Sequence, residues 1–369
     1  MTPNPEVSPA RRAPLAWGAP LARLDGAWTH LESLLCAVVL VAEILALCAW
    51  IAMKGLSTPT TADNKAGLVF RASVGAVALG LLADRLTRKS PERVARVATL
   101  SAVGVGLLAS WAWRGSGIAY CSNFLNWYQE SSTLTLAGGL RGVASHLTVW
   151  LALLGASLAT ASGKHINIDI VMRFFKPGWR IPAAIAGWVA AAVVCFAAVV
   201  GFFDHIAIGN FGAKADATAS EKIEVVAHDL GDHMFLVRKQ IGLDLRTLPH
   251  VVLGERYDSW LRGADWNAWI RDGGWSDRYT PAQVESVLVP DASGSDVHGP
   301  LVVVPGGTNR GILGHALNLM FPFGLAMIGL RFLLRALLAA SFQIDVDPDA
   351  AHGEPDVAHA HDATDPEVV

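Results

Sequence analysis

The chain has 369 residues, of which 52% are hydrophobic and only 17% charged, with a formal net charge of −3. A soluble domain carries about 25% charged residues, so the shortfall points to long segments that live in lipid. The small negative balance provides no basic field and excludes nucleic acid as a partner.

A helix needs about 20 apolar residues to cross roughly 30 Å of hydrocarbon, and only internally hydrogen-bonded elements persist there. Residues 1–20, rich in Pro and Ala, read as a disordered lead. Six apolar runs follow, at 34–53, 67–83, 94–113, 142–162, 181–203 and 312–340. The expected fold is an all-α integral membrane helical bundle of about six transmembrane helices, five of them within 21–203 and the sixth within 312–343. Arg11, Arg12 and Arg23 precede the first run, and Arg85, Arg88, Lys89 and Arg93 separate the second from the third. Lys164, Arg173, Lys176 and Arg180 separate the fourth from the fifth, and Arg331 and Arg335 mark the far end of the last. The alternate loops carry only Lys54, Lys65, Arg114 and Arg141. Lysine and arginine favour the cytoplasmic side, so both termini are expected there, in a bacterial inner membrane.

Residues 204–311 are then extracytoplasmic. Within them, 220–241 reads as a helix with Ser220 as its N-cap, and 284–289 and 301–304 read as short strands. This predicts a small α/β insertion, or a lid on the membrane surface. Trp260, Trp266, Trp269 and Trp275 either fill its core or anchor it at the interface. Residues 344–369, rich in Asp, Ala, His and Pro, read as a disordered acidic tail.

Glu43 lies near the middle of the first run. A charge there costs on the order of 2.5–3.5 kcal/mol, so it is expected to be protonated, paired or facing protein. Arg71 enters the second run from the outer side and is positioned to pair with Glu43 or to snorkel. His146, His205 and His315 fall near the outer boundary. Two of them on facing helices would suit a haem, while interfacial residues are the plainer reading. In the run from His228 through Asp229 and Asp232 to His233, the pairs His228/Asp232 and Asp229/His233 occupy different helix faces. No single tetrahedral zinc site follows, and a solvated polar face does. Ala183, Gly187, Ala191 and Cys195 form a small-residue stripe suited to close helix packing. The four cysteines (Cys36, Cys48, Cys121 and Cys195) have neither zinc nor redox spacing, and the tail pair His359 and His361 is too sparse for a firm metal site. No Walker loop, dinucleotide fingerprint, H-E-x-x-H or nucleophile elbow is present. The expectation is a non-enzymatic subunit of a larger assembly, without catalytic, cofactor or metal sites.

Residues 155–169 read G-A-S-L-A-T-A-S-G-K-H-I-N-I-D, in which Lys164, His165, Ile166, Ile168 and Asp169 form a basic H-I-x-I-D block. Upstream stand Trp127, Gln129 and Glu130; downstream stand Phe321-Pro322-Phe323-Gly324 and Leu330-Arg331. In this order the blocks resemble the DctQ-like small permease subunit of tripartite ATP-independent periplasmic (TRAP) transporters. Gln129 departs from the family's W-x-E-E-like element. Family members are shorter and have four spans, so 65–114 reads as an extra hairpin and 204–311 as a second insertion. Two added spans preserve the orientation of everything after them. The resemblance implies a membrane scaffold beside a large permease subunit. That subunit moves an organic acid, such as a dicarboxylate, by sodium symport, after delivery by a periplasmic substrate-binding protein. It also implies that His165 and Asp169 fix a loop at the cytoplasmic edge or meet the large subunit, and that Trp127 and Glu130 lie on the outer face. Two other classes stay open: a membrane anchor subunit of a haem-containing or respiratory oxidoreductase, and a stand-alone signalling or assembly protein with an outer sensor loop.

Overall fold

In a computed structural model the described residues are 13–61, 63–113, 115–162, 177–290, 297–305 and 312–344. Among them are twelve α-helices: α1 (Ala19–Ser57), α2 (Ala66–Thr87), α3 (Glu92–Ala112), α4 (Ser116–Glu130), α5 (Thr133–Leu136), α6 (Gly139–Ser162), α7 (Pro177–Phe211), α8 (Ala219–Val252), α9 (Gly263–Asp272), α10 (Pro281–Glu285), α11 (Ile312–Leu317) and α12 (Met320–Ala340). Six helical stretches are long and apolar enough to cross a membrane: α1, α2, α3, α6, α7, and α11 continued by α12. The helices outrun their apolar runs. At 1.5 Å per residue α1 is about 58 Å long, nearly twice the hydrocarbon thickness. Similarly, α7 continues past Phe203 to Phe211.

The chain divides into two compact units. The first comprises residues 1–39, 149–203 and 320–369. Here α12 packs closely on its neighbours through glycine: a Cβ on Gly324 would meet the Leu153 side chain at 2.6 Å, and one on Gly329 would meet Cys195 at 3.2 Å. Ala184 and Trp188 of α7 pack with Ala336 and Ala339 of α12. Ala183 and Cys195 of the expected stripe take part in this packing, and Ala184, Trp188 and Ala192 are buried beside them. Gly187 itself faces open space. The lead is anchored from Leu15 onward: its N–H donates to Ser341 O (3.0 Å), and Ala16–Gly18 form a 3-10 turn.

The second unit comprises residues 40–148 and 204–319. Its α2 and α3 form a hairpin whose backbones meet at Gly75 and Gly106. A Cβ on Gly75 would lie 2.6 Å from Gly106 O, and one on Gly106 would lie 2.3 Å from Gly75 O. The insertion is built on α8 and is helical, so the α/β expectation is corrected: the described residues contain one isolated bridge, Arg262 to His298, and no strand. The reason is local. Side chains occupy the backbone groups that a ladder would need. Trp266 Nε1 donates to Val287 O (2.8 Å), Asn267 Nδ2 donates to Val289 O (2.9 Å), and Val289 N donates back to Asn267 Oδ1 (3.0 Å). Gln240 Nε2 donates to Leu301 O (2.6 Å), and Leu301 has φ 61°, outside any strand conformation. The four tryptophans of the run belong to a core: Trp266 and Trp275 are fully buried with Leu236, Leu243 and Ile270, and Trp260 and Trp269 pack against them.

The N-cap of α8 is Thr218, not Ser220. Thr218 Oγ1 accepts from Glu221 N, and Glu221 Oε2 accepts from Thr218 N (2.7 Å), a reciprocal capping box that Ser220 is two residues too late to form.

Introducing leucine at Gly75 overpacks a backbone contact and is expected to destabilise by about 1–3 kcal/mol or more. Leucine at Gly104, which faces open space, is expected to be neutral. Thermal unfolding of the two purified variants in detergent distinguishes these outcomes.

Candidate functional site

Asp25, Trp28 and Glu32 fall at i, i+3 and i+7 on α1 and so share one face. Arg331 of α12 is inserted among them, with no side-chain exposure. Its Nη2 donates to Glu32 Oε2 (2.5 Å), and its Nη1 donates to Asp25 Oδ1 (2.7 Å) and Asp25 O (3.3 Å). Its Cζ lies 5.0 Å from the Trp28 ring centroid, a cation–π contact. The other Glu32 oxygen, Oε1, accepts from Trp28 Nε1 (2.6 Å) and from Ser157 Oγ of α6 (2.7 Å). Arg331 is thus shared between two carboxylates, and both Glu32 oxygens are satisfied. A buried pair of this kind gains little net stability against apolar packing, but losing one partner strands a charge at a cost of about 3–5 kcal/mol. The arrangement fixes how α1, α6 and α12 meet.

Of the residues singled out from the sequence, only Arg331 belongs to this group. Its partner Asp25 stands in the Leu24-Asp25 pair before the first apolar run, and Glu32 does not stand out from the sequence. The signal that could have found Glu32 is its own spacing, one turn past Trp28 and two past Asp25, just before the apolar run at 34–53.

Glu43 and Arg71 do not pair. Glu43 Oε1 accepts from Thr148 Oγ1 of α6 (2.6 Å), and Glu43 Oε2 is buried with no hydrogen-bond partner among the described residues. Arg71 is 3% exposed and closes the C-terminus of α1: Nη1 donates to Thr58 O (2.6 Å) and Leu56 O (3.4 Å), and Nη2 to Thr60 Oγ1 (2.7 Å). The free carbonyls at a helix C-terminus compete well for a cation, which is why the arginine turns there. Trp127 is 5% exposed, with its ring edge-on to Phe124. Within this chain it is a packing element. Glu130 is exposed at the end of α4. Lys164, His165, Ile166 and Asp169 lie outside the described residues, as do His359 and His361.

His146 Nδ1 is 2.7 Å from Gly142 O of its own helix, and His205 is exposed. His228 Nδ1 lies 3.7 Å from Asp229 Oδ1 and 3.8 Å from Asp232 Oδ2. Arg278 already pairs with Asp232 (3.0 Å), so a cation meets a positive charge there. His233 points the other way, is 8% exposed and packs on Phe211, and its Nδ1 has no hydrogen-bond partner.

Six apolar helices define a multi-pass membrane protein. Residues 138–221 match the family described as tripartite ATP-independent periplasmic transporters, DctQ component. The chain is thus DctQ-like, similar over α6, α7 and the block between them to the small permease subunit of TRAP systems. Trp127, Glu130 and Arg331 fall outside the matched residues. No curated protein and no solved structure matches the chain.

Two outcomes follow. Arg331→Met is expected to cost about 3–5 kcal/mol, and adding Glu32→Gln, which removes the stranded charge, to recover part of the loss; a double-mutant cycle on thermal unfolding measures the coupling. For His233, burial pushes the imidazole below its ordinary value of about 6.5, with His315 acting in the same direction and Asp229 and Asp232 opposing. The unfolded chain then binds the proton first, so stability present above about pH 6.5 is lost as pH falls through the folded value. His233→Gln is expected to flatten that acid limb, read as thermal stability from pH 7.5 to 5.

Proposed function

We propose that this chain is the small scaffold subunit of a sodium-driven TRAP transporter that imports an organic acid delivered by a periplasmic binding protein. The observation that carries the reading is the DctQ match over residues 138–221. The charges within the described spans support it. Glu32 and Arg331 neutralise each other, Arg71 caps a helix end, and Glu43 is bonded to Thr148. Fixed charges of this kind serve assembly, and the substrate path then belongs to the large permease subunit. On this reading the protein sits in the inner membrane with both termini cytoplasmic, as the distribution of lysine and arginine favours. His165 and Asp169 hold a cytoplasmic loop or meet the large subunit, and the insertion from α8 to Val304 faces the binding protein. Glu43, with one buried oxygen that has no hydrogen-bond partner among the described residues, is the intramembrane residue suited to a bond from a neighbouring subunit. The histidine placement gives no support to a haem-bearing anchor subunit.

Replacing residues 214–304 by a short linker is expected to spare membrane insertion and co-purification with the large permease while abolishing most uptake in vesicles supplied with binding protein. Unchanged uptake would remove the insertion from the transport cycle. A full-length chain that brings down no large permease would remove the scaffold reading itself.

A further inference from the structure

α8 carries two apolar stripes. The first is buried and includes Val226, Leu236, Leu243 and Val251. The second runs Ile223, Ala227, Leu230, Met234, Val237, Ile241, Leu245, Leu248 and Val252. Its spacing is three or four throughout, which at 3.6 residues per turn confines it to a sector of about 80°. No charged residue enters the sector, yet Met234 is 63% exposed and Leu245 67%. Such a face is about 45 Å long, and left in water it is an anomaly for a well-packed protein.

The anchoring of α8 identifies what covers it. Near its N-terminus, Lys222 Nζ donates to Asp204 Oδ1 (2.5 Å), and Asp204 is the first charged residue after the apolar run of α7. Eleven residues on, His233 packs against Phe211 at the end of α7. Eleven further, Asp244 Oδ2 accepts from the Thr133 N–H (2.7 Å) and hydroxyl (2.6 Å), immediately before α6. At the C-terminus, Tyr120 donates to Val252 O (3.0 Å). Tyr120 belongs to α4, which follows α3, and at the end of α3 Trp111 and Trp113 are exposed, as is common at the bilayer interface. These contacts join α8 to the C-terminal part of α7 at two levels and to α5 and α4, the short helices next to α6 and α3, and α11 also packs on α8. A helix tied along its whole length to helix ends runs along the surface, not away from it. Phe235, in contact with Trp275, directs the opposite side of α8 toward the tryptophan core. The exposed stripe borders the anchored face on the side away from that core.

We infer that α8 lies in the membrane interface with this second stripe seated among lipid headgroups and the first acyl carbons. Arg238, exposed at the edge of the stripe, is within reach of lipid phosphate. The inference rests on the multi-pass reading and is independent of the transport role.

The test uses the full chain in nanodiscs of phosphatidylcholine and phosphatidylglycerol, with Cys36, Cys48, Cys121 and Cys195 replaced by serine or alanine. Single cysteines at Met234, Ile241, Leu245 and, on the opposite side, Arg246 carry an environment-sensitive fluorophore, and lipids with a nitroxide at the shallow acyl position act as quencher. Variants eluting like the parent are compared. The three stripe positions are expected to be quenched at least about threefold more strongly than Arg246. Equal quenching at all four positions overturns the proposal. So does disulfide crosslinking between two copies carrying Met234→Cys, which would make the occupant a second copy of this chain.

Discussion

A guanidinium held away from water between two carboxylates sets the terms for the first unit. Arg331 has no exposed side-chain surface, and its charge is answered by Asp25 and Glu32 from a helix at the other end of the sequence. Three consequences follow together. Position 331 must sit opposite positions 25 and 32, so α12 has one register against α1. Ser157 must reach the remaining Glu32 oxygen, so α6 is brought to the same level. Gly324 and Gly329 then let α12 approach its neighbours closely enough for those bonds to be made. Dispersion alone would tolerate small slides of these smooth apolar helices, whereas hydrogen-bonded charges do not.

The second unit uses polar side chains differently, to close the ends of helices. Arg71 caps α1, Asp244 caps the start of α5, and Thr218 with Glu221 caps α8. Inside the insertion the same habit replaces a sheet. Asn267, Trp266 and Gln240 bond directly to the extended segments around Val287, Val289 and Leu301. A segment of residues with low helix content is thereby kept compact around the tryptophans without strand pairing.

The membrane architecture was legible because it depends on long composition runs that no tertiary contact overrides. The six helices lie where the apolar runs do, and their excess length reflects polar ends that still have good helical propensity. The strands at 284–289 and 301–304 were illegible because β-branched composition says nothing about which partner takes the backbone. Here Asn267 and Gln240, far away in sequence, took it first. Pairing of Glu43 with Arg71 was a reasonable inference from two lone charges, but it overlooked the unsatisfied carbonyls at the end of α1, which lie nearer to Arg71. Arg331 stood out through its motif. Glu32 did not, since a glutamate just outside an apolar run reads as a boundary residue until its partner is located.

The distance along the chain between Glu32 and Arg331, 299 residues, bears on biosynthesis. A ribosome delivers α1 to the membrane long before α12 exists. During that interval Glu32 has only Trp28 and, later, Ser157 for company. Assembly of the first helix is therefore completed by the last one, and until α12 arrives the second oxygen of Glu32 waits for its charged partner.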